Sequence, residues 1–239
     1  MVRFNGAMNK TLTEFLSDGL SAERVKRIHE VASQRTRHLT IVLENITHSH
    51  NASACLRTCD CFGVQDVHIV ESFSSFKPNP DVARGASKWL TIHRHQGEFE
   101  QSENHAPTTE RCIKQLKDQG YRILATSPRQ NSTPLSEIDI TQKNAVIFGS
   151  EKPGVSTTAI EHSDELIHVP MFGFTESFNV SVSAAIVLQQ LTERLHKSDI
   201  KWQLDKEEQQ SLIDLWVQKS HGFRLAALCR RFESEAKHK

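Results

Sequence analysis

Val169-Pro170-Met171-Phe172-Gly173-Phe174, running on into Ser177-Phe178-Asn179-Val180-Ser181, reads as a strand end that passes through a turn into a helix. The residues before it, Glu165–Val169, have the short apolar pattern of a strand, and the helix beyond is small and apolar inside (Val180, Val182, Ala184, Ala185, Val187). Two earlier segments have the same form. Val146-Ile147-Phe148-Gly149-Ser150-Glu151-Lys152-Pro153-Gly154 ends a strand over Ala145–Gly149, and Leu124-Ala125-Thr126-Ser127-Pro128 ends one over Arg122–Thr126. Working outward, Thr40–Glu44, Val67–Val70 and Leu90–His93 are further strands, and helical patterns fall at roughly 51–62, 107–118, 156–162 and 177–195. Strands alternating with helices imply an α/β fold with a mostly parallel, Rossmann-like sheet covered on both faces. Ligands of such sheets sit at the carboxyl ends of the strands, so these turns are the candidate site.

Helical extensions flank this core, and the expected organisation is an extension over 1–38, a domain over 39–197 and a second extension over 198–239. In the first, Leu12, Phe15 and Leu16 form one stripe and Val25, Ile28, Val31 and Ala32 another, with Ser21 as a helix start. In the last, Leu212, Leu215 and Trp216 form one stripe and Leu225, Leu228 and Cys229 another. Five Lys/Arg lie between Arg24 and Arg37 against Glu30 alone, and five between Arg224 and Lys239 against two Glu. Each run alone suits a solvated helix face; two basic ends around one core favour an anionic partner. The polar segment Gln96–Pro107 is a surface loop.

The chain has 239 residues, 37% hydrophobic and 24% charged, enough for a sizeable core. Its net charge is zero, unlike a globally basic nucleic-acid binder, so local charge must carry any such role. No apolar run is long enough for a membrane span and no signal-peptide core opens the chain. The cysteines (Cys55, Cys59, Cys61, Cys112, Cys229) are odd in number, which points to free thiols and a cytoplasmic setting. Cys55, Cys59 and Cys61 form no CxxC pair, so helix packing rather than zinc is expected.

Gly149 and Gly154 allow close backbone approach, with Glu151 between them; a turn carrying a solvated glutamate explains the pattern equally well. Neither a Walker A loop nor a dinucleotide G-x-G-x-x-G is present. Phe172, Phe174 and Phe178 offer aromatic walls, and Ser177 and Asn179 set polar groups at a helix mouth, where Ser177 also fits a simple N-cap. Arg57 stands in an otherwise small, apolar helix. It is either a surface residue paired with Asp60 or a guanidinium aimed at phosphate.

Asn51-x-x-Ala54-x-x-Arg57-Thr58, then Gly149-x-Glu151-x-x-Gly154, then Pro170-Met171-x-Gly173-x-x-x-Ser177-Phe178-Asn179-Val180-Ser181 resemble, in order and spacing over roughly 39 to 195, the SPOUT superfamily, and within it the TrmH-like tRNA (guanosine-2′-O)-methyltransferases. The resemblance implies a deep C-terminal trefoil knot (about 122–195), one of the rare knotted folds. It implies S-adenosylmethionine held by Ala125, Thr126, Ser127, Gly149, Val169, Met171 and Phe178, with no metal. Phe178 stands where the family usually has leucine. Arg57 would be the catalytic arginine, either general base or electrostatic stabiliser, with Asn51, Glu151, Ser177 and Asn179 shaping the active site. A homodimer would lend Arg57 to its partner's cofactor site, and both basic extensions would bind tRNA. The implied activity is 2′-O-methylation of a guanosine ribose at D-loop position 18. The alternatives are ribosomal RNA as substrate, or a non-catalytic RNA-binding module of the same fold.

Overall fold

Apolar strands of β-branched residues and leucine, each followed by a helical stretch, leave the chain few options but a buried parallel sheet. The computed structural model describes residues 11–237 apart from 73–74, 77–78, 84, 98–105, 128–130 and 151. In chain order the elements are α1 (Leu12–Ser17), α2 (Ala22–Ala32), β1 (Leu39–Glu44), α3 (Ser49–Cys61), β2 (Asp66–Glu71), α4 (Pro80–Ala83), β3 (Thr91–Gln96), α5 (Ala106–Asp118), β4 (Tyr121–Thr126), β5 (Thr133–Pro134), β6 (Lys143–Phe148), α6 (Thr157–His162), β7 (Glu165–His168), α7 (Val180–His196), α8 (Lys206–His221) and α9 (Leu225–Lys237). Among the described residues the strands form one seven-stranded sheet in the order β3-β2-β1-β6-β4-β7-β5. Every ladder in it is parallel.

Strand alternation sends side chains to two cores. Leu39, Ile41 and Leu43 of β1 face α3 and α7, meeting Cys55, Leu56, Cys59, Val187, Leu188 and Leu191. Val42 faces the other way, toward Cys112, Ile113 and Leu116 of α5 and Ala159 of α6. Cys55 and Cys59 thus serve as small packing residues, whereas Cys61 is exposed; none of the five cysteines forms a disulfide among the described residues.

The chain divides into two compact units, one holding residues 36–203 and the other joining the residues up to Arg35 with those from Leu204 onward. In this second, helical unit, Thr11 with Glu14 and Asp205 with Glu208 form capping boxes at α1 and α8, and the Ser21 hydroxyl accepts the Arg24 N–H at the start of α2. The buried stripe of α8 is Leu212, Ile213, Trp216 and Val217. Leu215, expected in that stripe, lies on the opposite side of the helix and is exposed. Trp216 is fully buried with the Arg35 guanidinium 5.2 Å from its ring centroid. Trp216→Ala is expected to destabilise this unit by about 3–5 kcal/mol, read as a loss of denaturant midpoint for the helical unit.

The basic run over 24–37 is not all surface. Arg35 is buried, and Arg37 pairs with Asp66 at 2.6 Å; against its burial, the His93 hydrogen bond and the Arg37 guanidinium together hold that carboxyl below its usual range. Arg24, Lys26 and Arg27 remain exposed, as do Arg224, Arg230 and Arg231.

Candidate active site

The three strand ends converge. A cavity of about 640 Å³ opens at the carboxyl ends of β4, β6 and β7, in the size range of small-molecule sites. Thr126 and Ser127 line it from β4, Gly149 to Val155 (with Glu151 outside the described residues) from the loop after β6, and His168, Val169 and Met171 from β7. Ser177, Phe178, Asn179 and Val180 close it at the start of α7, with Ile160 and Val187 as apolar floor.

Local geometry explains how these turns hold. The Ser127 N–H donates to the Ile167 carbonyl (2.9 Å) and the Thr126 hydroxyl to the Ile147 carbonyl (3.0 Å), so the end of β4 is tied to both neighbours. The loop after β6 doubles back, with the Gly154 N–H donating to the Ser150 carbonyl at 3.0 Å. Gly154 sits at φ +89, in the left-handed region. At Gly149 a Cβ would stand 2.1 Å from the Gly154 carbonyl carbon. Only glycine fits there.

Two residues that sequence reasoning passed over brace this end of the sheet. Glu44, last residue of β1, is buried and accepts from the Ser156 N–H (2.9 Å), the Ser156 hydroxyl (2.7 Å) and the Thr109 hydroxyl (2.7 Å), which pins the start of α6. Asn45, at φ 53, accepts the Ser72 N–H at 2.8 Å. The only cue in the sequence is an acid followed by asparagine directly after an apolar strand. His168, also missed, lines the cavity and contacts the Ser132 hydroxyl through Nδ1 at 2.9 Å.

The N-cap of α7 is Asn179, and the helix begins at Val180 rather than at 177. The Asn179 carboxamide oxygen accepts both the Ser181 N–H (2.9 Å) and the Ser181 hydroxyl (2.7 Å), a double cap that Ser177 cannot make from two residues upstream. Its amide donates to the Asn51 side-chain oxygen at 3.1 Å, joining α7 to the first turn of α3. Asn179→Ala is expected to lower stability by about 1 kcal/mol through the lost cap, checked by denaturant unfolding of the two proteins.

Of the residues the sequence singled out, Thr126, Ser127, Gly149, Val169, Met171, Phe178, Ser177 and Asn179 line the cavity. Ala125 does not: it is buried within β4, hydrogen-bonded between β6 and β7. Asn51 does not line the cavity and is joined to it by its hydrogen bond with Asn179. Glu151 lies outside the described residues. Phe172 and Phe174 are not walls: the loop after β7 carries both rings outward, fully exposed, and Phe178 alone of the three faces the cavity. Arg57 is exposed on α3, near Ala54, Thr58 and Cys61 on the less buried side of the helix, and its guanidinium pairs with no described carboxylate, Asp60 included. It does not line the cavity of its own chain.

Known proteins share this arrangement. The sequence profile of the SpoU rRNA Methylase family matches residues 38–189. A tRNA (guanosine(18)-2'-O)-methyltransferase of Borreliella burgdorferi is 37% identical over 201 residues, 84% of this chain and 85% of the relative. One of Thermus thermophilus is 34% identical over 198 residues, 82% of this chain and 96% of the relative. The crystal structure of an A. aeolicus TrmH/SpoU tRNA modifying enzyme superposes with TM-score 0.71 at 29% identity, covering 83% of this chain and 96% of that one.

Proposed function

The chain belongs to the SpoU rRNA methylase family, and on that footing we propose that it is an S-adenosylmethionine-dependent methyltransferase acting on the ribose 2′-hydroxyl of guanosine 18 in tRNA. The observation that carries the reading is the single cavity into which all three strand ends fold.

The lining fits the donor. Hydroxyls of Thr126 and Ser127 and the close-packed backbone of Gly149 offer polar contacts, while Val169, Met171, Phe178 and Val187 offer an apolar bed for a flat base. Phe178, larger than the family's usual leucine, adds an aromatic face to that bed. Bound there, S-adenosylmethionine supplies an electrophilic sulfonium methyl, and its chemistry needs no metal.

The residues of this chain do the positioning. Asn179, fixed by Ser181 and Asn51, and Ser177 beside it hold the mouth of α7 where the ribose must arrive. The family resemblance gives Glu151, between Gly149 and Gly154 in sequence, a part in the same site. Aligning the sugar oxygen with the methyl supplies much of the rate. The Arg57 guanidinium, a planar fork, fits holding an RNA phosphate and stabilising negative charge growing on the 2′-oxygen, while the hydroxyl proton passes to solvent.

Arg57 is absent from the cavity of its own chain and lies on a face of α3 built from small residues. This supports a homodimer in which each copy lends Arg57 to the other's site. The insertion of β6 between β1 and β4, followed by the return of α7 onto the α3 side of the sheet, supports a knotted C-terminal half. Arg24, Lys26, Arg27, Arg224, Arg230 and Arg231 supply the exposed positive charge for tRNA phosphates in a chain of zero net charge. Among the described residues no helix is long and apolar enough to cross a membrane, and a tRNA substrate is consistent with work in the cytoplasm.

The test is methyl-labelled S-adenosylmethionine with separate tRNA and rRNA pools, followed by mapping of the 2′-O-methyl group. Label in tRNA at guanosine 18 is the expected result. Label confined to rRNA overturns the substrate, and no label in either pool overturns the activity.

A further inference from the structure

The face of the sheet beneath α5 carries a group of side chains that methyl transfer does not use. In the parallel β2–β3 ladder His68 stands opposite His93 and Val70 opposite His95, so residues 68, 70, 93 and 95 share one face. Cys112 of α5 packs onto that face with Val42 and Val70. His68 Nδ1 lies 3.1 Å from His95 Nε2. One ligand atom from each of His68, His95 and Cys112 falls within 4.8 Å of the other two, and all three residues are buried. None of them lines the cavity.

Two imidazoles are a costly filling for a core, because each carries polar nitrogens that must be satisfied without water. Their protonation states suit one occupant. Burial, with His93 and His95 alongside, holds His68 down to about 3, and burial first also lowers His95, so both rings are neutral at physiological pH and present in-plane lone pairs. Burial and the Glu44 carboxylate push the Cys112 thiol up to about 12, a cost that a bound cation must outweigh to take the thiolate. Two neutral imidazole nitrogens and one thiolate are the donor set of a borderline-soft divalent ion. With zinc–nitrogen bonds of about 2.0–2.1 Å, two imidazole nitrogens on one tetrahedral ion stand about 3.3 Å apart. The His68–His95 spacing is already close to that.

We propose that His68 Nδ1, His95 Nε2 and Cys112 Sγ bind one divalent transition ion, zinc by chemistry, that clips α5 to the β2–β3 edge of the sheet. Two metal–nitrogen bonds and one metal–sulfur bond form, the thiol proton passes to solvent, and no electron moves. Each ring then carries its proton on its other nitrogen. Glu44 is already committed to Ser156 and Thr109 and is not one of the ligands. The site is structural and stands apart from the methyl-transfer reading.

Cobalt chloride titrated into the metal-free, full-length protein is the probe. The expected result is one equivalent bound with a thiolate-to-cobalt charge-transfer band and the intense visible bands of a tetrahedral ion, all bleached by zinc. Cys112→Ser should abolish the charge-transfer band, whereas Cys61→Ser and Cys229→Ser should keep it. His95→Gln, which leaves the thiol in place, should weaken zinc by about a hundredfold, the upper end of what even an outer hydrogen-bond partner is worth. Zinc should raise the Tm of the parent chain and leave Cys112→Ser unmoved. Absence of a charge-transfer band in the folded parent chain, or a band that survives in folded Cys112→Ser or at full strength in His95→Gln, overturns the site and leaves a hydrogen-bonded histidine pair beside a packing thiol.

Discussion

Replacing Arg57 by alanine is expected to lower methyl transfer to tRNA by about 100- to 1,000-fold, the usual cost of removing one group that stabilises charge in the transition state. S-Adenosylmethionine binding, measured by calorimetry, should be nearly unchanged. So should the melting curve, since Arg57 is exposed and a surface substitution of this kind shifts stability by about 0.5 kcal/mol or less. This split separates a catalytic group from a packing one. Arg57→Lys keeps the charge but not the planar fork, and should recover only a small part of the activity. Cofactor affinity collapsing together with turnover would rule out a purely catalytic part for Arg57.

The second large effect belongs to Gly149. A methyl group at this position meets the Gly154 carbonyl carbon at 2.1 Å, its oxygen at 2.2 Å and the Val155 nitrogen at 2.2 Å. All three are backbone atoms, so no side chain can swing aside. Gly149→Ala must push the loop over 149–154 open, at about 1–3 kcal/mol or more. That loop is one wall of the cavity, and S-adenosylmethionine binding is expected to be lost together with activity. Gly173→Ala is the control: a Cβ there meets nothing within 4 Å, and cofactor binding should survive. Normal cofactor affinity in Gly149→Ala would show that this wall is not part of the binding site.

Much of this architecture can be read from the sequence, for a physical reason. Strands buried on both faces are continuous apolar runs, and Thr40–Glu44 or Ala145–Gly149 stand out because they are such runs bounded by polar turns. The three turns at the site stand out because glycines and hydroxyl residues follow those runs directly. What stayed hidden depends on contacts between distant residues. Asn179 and Ser177 are both good caps; the choice was made by Ser181 and by Asn51 on another helix. Arg35 looks like its basic neighbours in sequence, and only the folded chain, which buries it against the Trp216 ring, shows that it is interior. The insertion of β6 between β1 and β4 leaves no local pattern at all. Phe172 and Phe174 read as pocket walls because aromatic side chains usually find cover within their own chain; here neither does. His68, His95 and Cys112 meet only because β2 and β3 run in register beneath α5.

A crystal structure of the protein with S-adenosylhomocysteine would decide whether the three strand ends and a borrowed guanidinium make one site. The ligand is expected among Thr126, Ser127, Gly149, Val169, Met171 and Phe178, with the guanidinium of Arg57 from a second copy facing its sulfur across open space for a ribose. Ligand bound elsewhere, or both Arg57 side chains remote from it in the assembled protein, would contradict that picture.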